Sequence, residues 1–324
     1  MGRPDCPQSL KACQARFRED DACRKYWAAC RWPAGFRCAR CGPRAAFELP
    51  HRRLWPCTAC GRQTSLTAGS ALHRTRRPLT VWFWAAYLVP PHPPGLSAVQ
   101  RQRQLGLSDE TAWARLYKLR LAMVNPEREP LQDKAEVDET YLGGPEVGLP
   151  GGRQLREKAL SVGAVDVRGK AAGRVRLQVV PDASARSLTG FVQRTVAPGP
   201  LILTDGWGAY APLSNMGDRH RPRTQGTPER AATLLPHIPR VVGNLTTWRR
   251  GTPHGVGHDH LQAYLDEFAF RFNRRRTPAY SDPSRPLIPT HVGHPFRRNP
   301  ATDSDGNPAT ILRFLGIGGR HPSA

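Results

Sequence analysis

Lysine, acidic residues and late cysteines are all scarce in this chain. Of its 324 residues, 48 are Lys or Arg, yet only 6 of these are Lys; Asp and Glu together number 26. No cysteine follows Cys60. No apolar run approaches the ~18 residues that a bilayer span requires; the longest, Val81 to Val89, stops at Pro90. Arg3, Asp5, Lys11 and Arg16 occupy the stretch where a secretory signal would be apolar. These scarcities argue against a membrane protein and against a secreted disulfide scaffold, whose cysteines would be spread through the domain. A cytoplasmic protein is expected. With 39% hydrophobic and 8% aromatic residues there is enough to bury a core, and the length predicts about two domains.

What is abundant is arginine. The formal net charge of +22 makes a polyanion the first partner to consider. Each cation placed on a phosphate releases condensed counterions, and the guanidinium fork matches phosphate oxygens two at a time. Nucleic acid is therefore expected.

The cysteines divide into two sets. Cys38-Ala-Arg-Cys41 and Cys57-Thr-Ala-Cys60 are separated by fifteen residues, and each pair is followed by glycine, Gly42 and Gly61. Two intervening residues let both thiolates reach one ion from a tight turn, and glycine allows the positive φ that such a turn needs. Four thiolates suit a structural zinc ion with no open position. Cys6, Cys13, Cys23 and Cys30 stand in two pairs seven apart, a spacing with no standard metal turn. They read as free cysteines.

After the ribbon, Thr80 can cap a helix whose Trp82, Phe83, Ala86 and Tyr87 recur at helical spacing, stopped by the prolines from Pro90. Ser97 to Leu105 and Asp109 to Val124 form two further helices around Gly106-Leu107-Ser108. Arg115, Lys118 and Arg120 on the second suit a helix-turn-helix DNA reader. A plain αα-hairpin fits the same residues. The pattern then turns to β-like runs: Glu136 to Gly144, Leu160 to Val167, Arg174 to Val180 and Leu201 to Asp205, with a helix over 183–196 before the last. That order predicts a mixed α/β sheet.

Asp138 and Asp205 each lie on a β-like run that becomes glycine-rich within a few residues. Groups at such strand ends converge on a crevice, where two carboxylates repel unless cations sit between them. Beside a phosphodiester, two Mg²⁺ ions would activate the attacking oxygen and stabilise the leaving one. Taken singly, either Asp also fits a turn former.

Over roughly residues 20–276 the chain resembles the bacterial IS1595-type (ISXO2-like) insertion-sequence transposases. The resemblance is carried by Arg31-Trp-Pro-Ala-Gly-Phe-Arg-Cys38, Gln63 to Gly69, Ser97 to Leu107, Val137-Asp-Glu-Thr-Tyr-Leu-Gly-Gly144, Thr204-Asp-Gly-Trp207 and Tyr264 to Arg275. It implies a zinc ribbon, a helical DNA-binding segment and a ribonuclease-H-like core. It also implies cleavage at the element's ends, its terminal repeats, and joining of the freed 3′ hydroxyl to target DNA. Cleavage at two ends suits a homo-oligomer on DNA, and a nucleoid-associated protein is expected. By position, Asp138 and Asp205 match the first two members of the family's acidic triad, which holds Mg²⁺ or Mn²⁺. The third is Asn244, 39 positions after Asp205, where members carry Glu or Asn. An amide offers a carbonyl oxygen without charge, so one cation should be held more weakly than by Glu. Thr246 replaces a Lys frequent in the family.

Two other features complete the reading. His258 to Asn273 predicts a helix with Leu261, Leu265, Phe268 and Phe272 on one face; Glu267, on its flank, is the one substitute for the third acid. His254 sits in a glycine-containing loop beside it, as a phosphate contact or a histidine without a role. The last 48 residues hold 8 Pro and 5 Gly with no Lys or Glu, in the disordered range, and a reading-frame shift near residue 277 would account for them. The expected organisation is a zinc-ribbon segment over 1–75, a helical segment over 76–130, a catalytic core over 131–276 and a tail over 277–324. A DNA-binding protein without catalysis is the competing reading.

Overall fold

The computed structural model describes residues 7, 9–42, 45–88, 108–123, 128–143, 158–223, 234–251 and 257–275. Cys6, the helix expected over Ser97–Leu105, His254 and the tail fall outside them. The chain forms two compact units. One runs to Arg128 and takes in the C-terminal part of the last helix from Asp266; the other holds Glu129–Leu265. No helix among the described residues is long and apolar enough to cross a membrane.

In the first unit, α1 (Leu10–Arg16) starts where the Ser9 hydroxyl accepts the Ala12 amide at 3.1 Å. Helix α2 (Asp20–Arg31) opens on two acids that suit its positive end. Strands β1 (Leu54–Pro56) and β2 (Gln63–Ser65) pair antiparallel as the ribbon hairpin. Helix α3 (Leu79–Leu88) places Thr80 inside its first turn, so that residue does not cap it. Helix α4 (Asp109–Ala122) follows. Phe17, Tyr26 and Phe83 form the aromatic centre, with Phe17 ring centroids 5.0 Å from Tyr26 and 4.6 Å from Phe83. Each such pair adds roughly 0.5–1.5 kcal/mol to the burial itself. Cys13, Cys23 and Cys30 are buried in the same cluster, outside any disulfide. Burial pushes the Cys23 thiol up to about 12, aided by the charge of Asp20, so it behaves as a small hydrophobe.

The basic face expected of α4 turns inward. Arg115 is buried with its guanidinium 5.3 Å from the Trp82 ring, Lys118 donates to the His73 carbonyl, and Arg120 ion-pairs with Glu267 at 2.6 Å. These side chains hold the unit together and do not offer a reading surface.

Among the described residues, the second unit is built on a five-stranded sheet. Strands β3 (Ala135–Leu142), β4 (Ala159–Arg168) and β5 (Ala171–Val180) are antiparallel neighbours; β6 (Leu201–Thr204) and β7 (Arg219–Pro222) run parallel to β3, in the order β5-β4-β3-β6-β7. The three strands, crossover helix and fourth strand follow the sequence expectation; β7 had no expectation. This mixed α/β sheet carries the ribonuclease-H-like order. Helix α5 (Ala185–Thr195), the crossover, covers one face with Leu188, Phe191 and Val192 against Ala135, Val137 and Ile202. Tyr210 and Leu213, the latter on the short helix α6 (Pro212–Asn215), close the same side. Helix α7 (Ile238–Gly251) lies against the other face of β3 and β4. Gly163 makes that approach feasible, because a Cβ there would stand 2.9 Å from the Ile238 Cδ1. Helix α8 (His258–Arg274) joins the sheet through Gln262, whose side chain bonds the Val179 amide and the Leu177 carbonyl.

Candidate functional site

Among the described residues, two clusters of metal-ligating side chains form, one in each unit. In the ribbon, Cys38, Cys41, Cys57 and Cys60 bring their sulfurs within 4.8 Å of one another. Each CxxC turn closes through a glycine amide: Gly42 donates to the Cys38 carbonyl at 3.0 Å and Gly61 to that of Cys57 at 2.9 Å. Their φ values of +85° and +68° are the left-handed conformations expected of those glycines. Cys38 and Cys60 sulfurs are 3.6 Å apart, and those of Cys41 and Cys57 are 3.5 Å apart. A tetrahedron with Zn–S bonds of about 2.3 Å has edges of about 3.8 Å. The cluster fits structural zinc. The Cys41 and Arg40 amides hold the Cys38 thiol down to about 6, whereas hydrogen bonding to Cys60 and burial push Cys41 up. Crowded thiols of this kind are relieved when a cation takes the charge.

The second cluster is acidic. Oxygens of Asp138, Glu139 and Asp205 all lie within 4.8 Å of one another. Asp138 is on β3, and Asp205 is the residue after β6. The parallel register pairs Ala135 with Ile202 and Glu136 with Leu203. Extended by two residues, it sets Asp138 level with Asp205, on the face that α7 covers. The structure thus brings together the two aspartates singled out in the sequence.

One oxygen of each carboxylate is held by its surroundings. Asp138 Oδ1 accepts the Glu139 amide at 2.9 Å, and Asp205 Oδ1 accepts the Trp207 amide at 2.9 Å. Glu139 Oε2 accepts the Tyr210 hydroxyl at 3.0 Å. Burial pushes the Tyr210 hydroxyl up, and the charge of Glu139 adds to this, so the phenol remains a donor. Sequence reading passed over Glu139. Strand alternation directs it to the face opposite Asp138, and only its longer side chain returns it to the site. The available signal was its adjacency to Asp138, together with a tyrosine five residues after Asp205.

Asn244 lies on α7, exposed, on the flank beside the buried Val241, Leu245 and Trp248. The helix is fastened to β3 at both ends. At its start, Glu136 Oε2 accepts the amides of His237 at 2.8 Å and Ile238 at 3.0 Å. Near its end, Arg249 donates to the Gly143 carbonyl at 3.0 Å. Since α7 rises about 1.5 Å per residue and β3 about 3.3 Å, Asn244 falls opposite the middle of β3, near the level of Asp138 and Thr140.

Glu267 is not a substitute for the third acid. It is buried in the first unit, with Oε2 on Arg120 and Oε1 on Arg271, both at 2.6 Å. A carboxylate between two guanidinium groups is already neutralised.

Comparison with known proteins follows the same division. Residues 130–273 match the ISXO2-like transposase domain, and residues 18–63 match the transposase zinc-ribbon domain. No curated protein matches the chain. Among solved structures, one similarity is to a chain of the simian T-cell lymphotropic virus intasome bound to the PP2A regulatory subunit B56 gamma. It has 14% identity and a TM-score of 0.27, and covers 52% of this chain and 63% of that one.

Proposed function

The chain belongs to the IS1595-type, ISXO2-like transposases, and from that premise we propose that it cuts the ends of an insertion sequence and joins them to new DNA. The supporting observation is the approach of Asp138 and Asp205, 67 residues apart in sequence, to within reach of one ion. Carboxylates that close repel one another unless cations sit among them. Bound there, divalent cations such as Mg²⁺ or Mn²⁺ would make a bound oxygen a better nucleophile and offset the charge of the phosphodiester.

The side chains have separable roles. Asp138 and Asp205 hold the cations, and the Asn244 carbonyl completes the set without adding charge. Glu139, steadied by Tyr210, contributes a further negative charge at the same place. Glu136 sets the position of α7 and hence of Asn244. Water attacks first, breaking the phosphodiester and leaving a DNA 3′ hydroxyl; that hydroxyl then attacks the target strand and releases its 3′ oxygen. No protein nucleophile is needed. The zinc-bound ribbon, held by Cys38, Cys41, Cys57 and Cys60, serves recognition of the terminal repeats, and cutting of two ends suits a homo-oligomer assembled on double-stranded DNA.

The test uses a labelled terminal-repeat substrate with Mg²⁺, comparing the intact chain with Asp205→Ala. Nicked and joined products from the intact chain alone support the proposal. Identical products from both chains would reduce the protein to DNA binding, and cut products that never join would make it a nuclease.

A further inference from the structure

Strand β7 carries the sequence Arg219-His220-Arg221-Pro222 and is followed by Arg223. It is the last strand of the sheet among the described residues. Its parallel register sets Arg219 beside Leu201 and Arg221 beside Leu203, and Leu203 is itself beside Glu136. Residues in register on neighbouring strands project from the same face. Arg219 and Arg221 therefore share a face with Glu136 and Asp138, and Arg223 continues the alternation. His220 points the other way, its Nε2 lying 2.9 Å from the Thr204 hydroxyl, as that pattern requires.

The row also runs towards the acidic cluster. The Arg223 amide donates to the carbonyl of Thr204, the residue before Asp205, at 2.8 Å. Arg219 and Arg221 are exposed and Arg223 is half-buried. Elsewhere in this unit, Arg168 and Arg174 do form ion pairs with carboxylates.

We infer that Arg219, Arg221 and Arg223 form a track for the sugar–phosphate backbone of duplex DNA, leading across β7 to the acidic site. The inference rests on the proposed action on DNA and adds the path by which the strand arrives. Alternate residues on a strand are about 6.6 Å apart. That is close to the through-space separation of neighbouring phosphates on one DNA strand, whose rise of roughly 3.4 Å along the axis is combined with rotation about it, so a backbone lying along β7 offers each guanidinium a phosphate. Guanidinium forks suit such contacts, which position the duplex without reading its sequence. The competing explanation is that charge on an edge strand only prevents pairing with another chain.

Salt dependence of binding separates the two. The full chain is titrated against a duplex oligonucleotide of arbitrary sequence in Mg²⁺-free buffer over a series of salt concentrations. Three double variants are compared: Arg219→Ala/Arg221→Ala, the charge-preserving Arg219→Lys/Arg221→Lys, and Arg186→Ala/Arg194→Ala. The last removes equal charge from exposed positions on α5, on the opposite side of the sheet. The track predicts that the slope of log affinity against log salt becomes shallower by about 1.8 for the first variant, at about 0.9 per phosphate contact. It also predicts that the lysine variant keeps the slope and the α5 variant leaves it near that of the intact chain. Equal effects of both alanine variants, or no effect of Arg219→Ala/Arg221→Ala, would overturn the track while leaving the proposed function standing. Failure of the intact chain to bind DNA would remove both.

Discussion

Glu136 and Glu267 are both buried acids, and their surroundings make different demands on them. Glu136 accepts the amide of His237, just before α7, and that of Ile238, its first residue, groups that no carbonyl within the helix can satisfy. Glu136→Ala would leave them without their acceptor in a buried place, at an expected loss of about 3 kcal/mol, whereas Glu136→Gln retains an acceptor and should lose about 1 kcal/mol. Urea unfolding followed by tryptophan fluorescence measures both. Glu267 is held below its ordinary value of 4.5: burial opposes ionisation, but the charges and hydrogen bonds of Arg120 and Arg271 outweigh it. A carboxyl depressed on folding stabilises fully above its ordinary value, and that stability is lost as pH falls through the lower folded value. The intact chain should therefore lose melting temperature on acidification below pH 4.5, while Glu267→Gln, less stable at neutral pH, should show a flatter acid limb. A variant with an unchanged acid limb would contradict this. Neither acid was legible as a structural anchor. The partners of Glu136 lie about a hundred positions away and Arg120 lies 147 positions from Glu267, and no local pattern encodes such distances.

Elements were more readable than their contacts. The CxxC pairs with trailing glycines, the three strands and the crossover helix were all legible, because thiolate spacing and apolar runs are local properties. Strand β7 was not: its four residues are Arg, His, Arg and Pro, with no apolar alternation to mark them. Its place comes from pairing with β6. Likewise, the arginines of α4 looked like a DNA-facing set, and only packing against Trp82 and Glu267 reveals their inward direction. For the ribbon, the purified chain should contain about one tightly held zinc per molecule, since a four-thiolate site is complete. Cys57→Ser should lower that content and expose the ribbon to proteolysis between Trp32 and Leu66. Zinc release measured with a colorimetric chelator, and the sites of cutting, check this; a full zinc content in the variant would contradict the assignment.

At the scale of the molecule, the +22 charge and the acidic cluster act in opposite senses. The arginine surplus draws the polyanion in, and the few acids that converge need cations to accept a phosphate among them. Sequence reading reached two of the three clustered carboxylates, because strand ends followed by glycine mark a crevice; it missed Glu139, whose approach depends on side-chain length and on Tyr210. The claim on which the account depends is that Asp138 and Asp205 share a bound cation. Fe²⁺ in place of Mg²⁺, with ascorbate and peroxide, generates hydroxyl radicals that cut a polypeptide beside the metal. The account predicts cuts near residues 138 and 205 that excess Mg²⁺ suppresses and that Asp205→Ala abolishes. Absence of cutting at these two places, or cutting there that Mg²⁺ and the substitution leave unchanged, would contradict it.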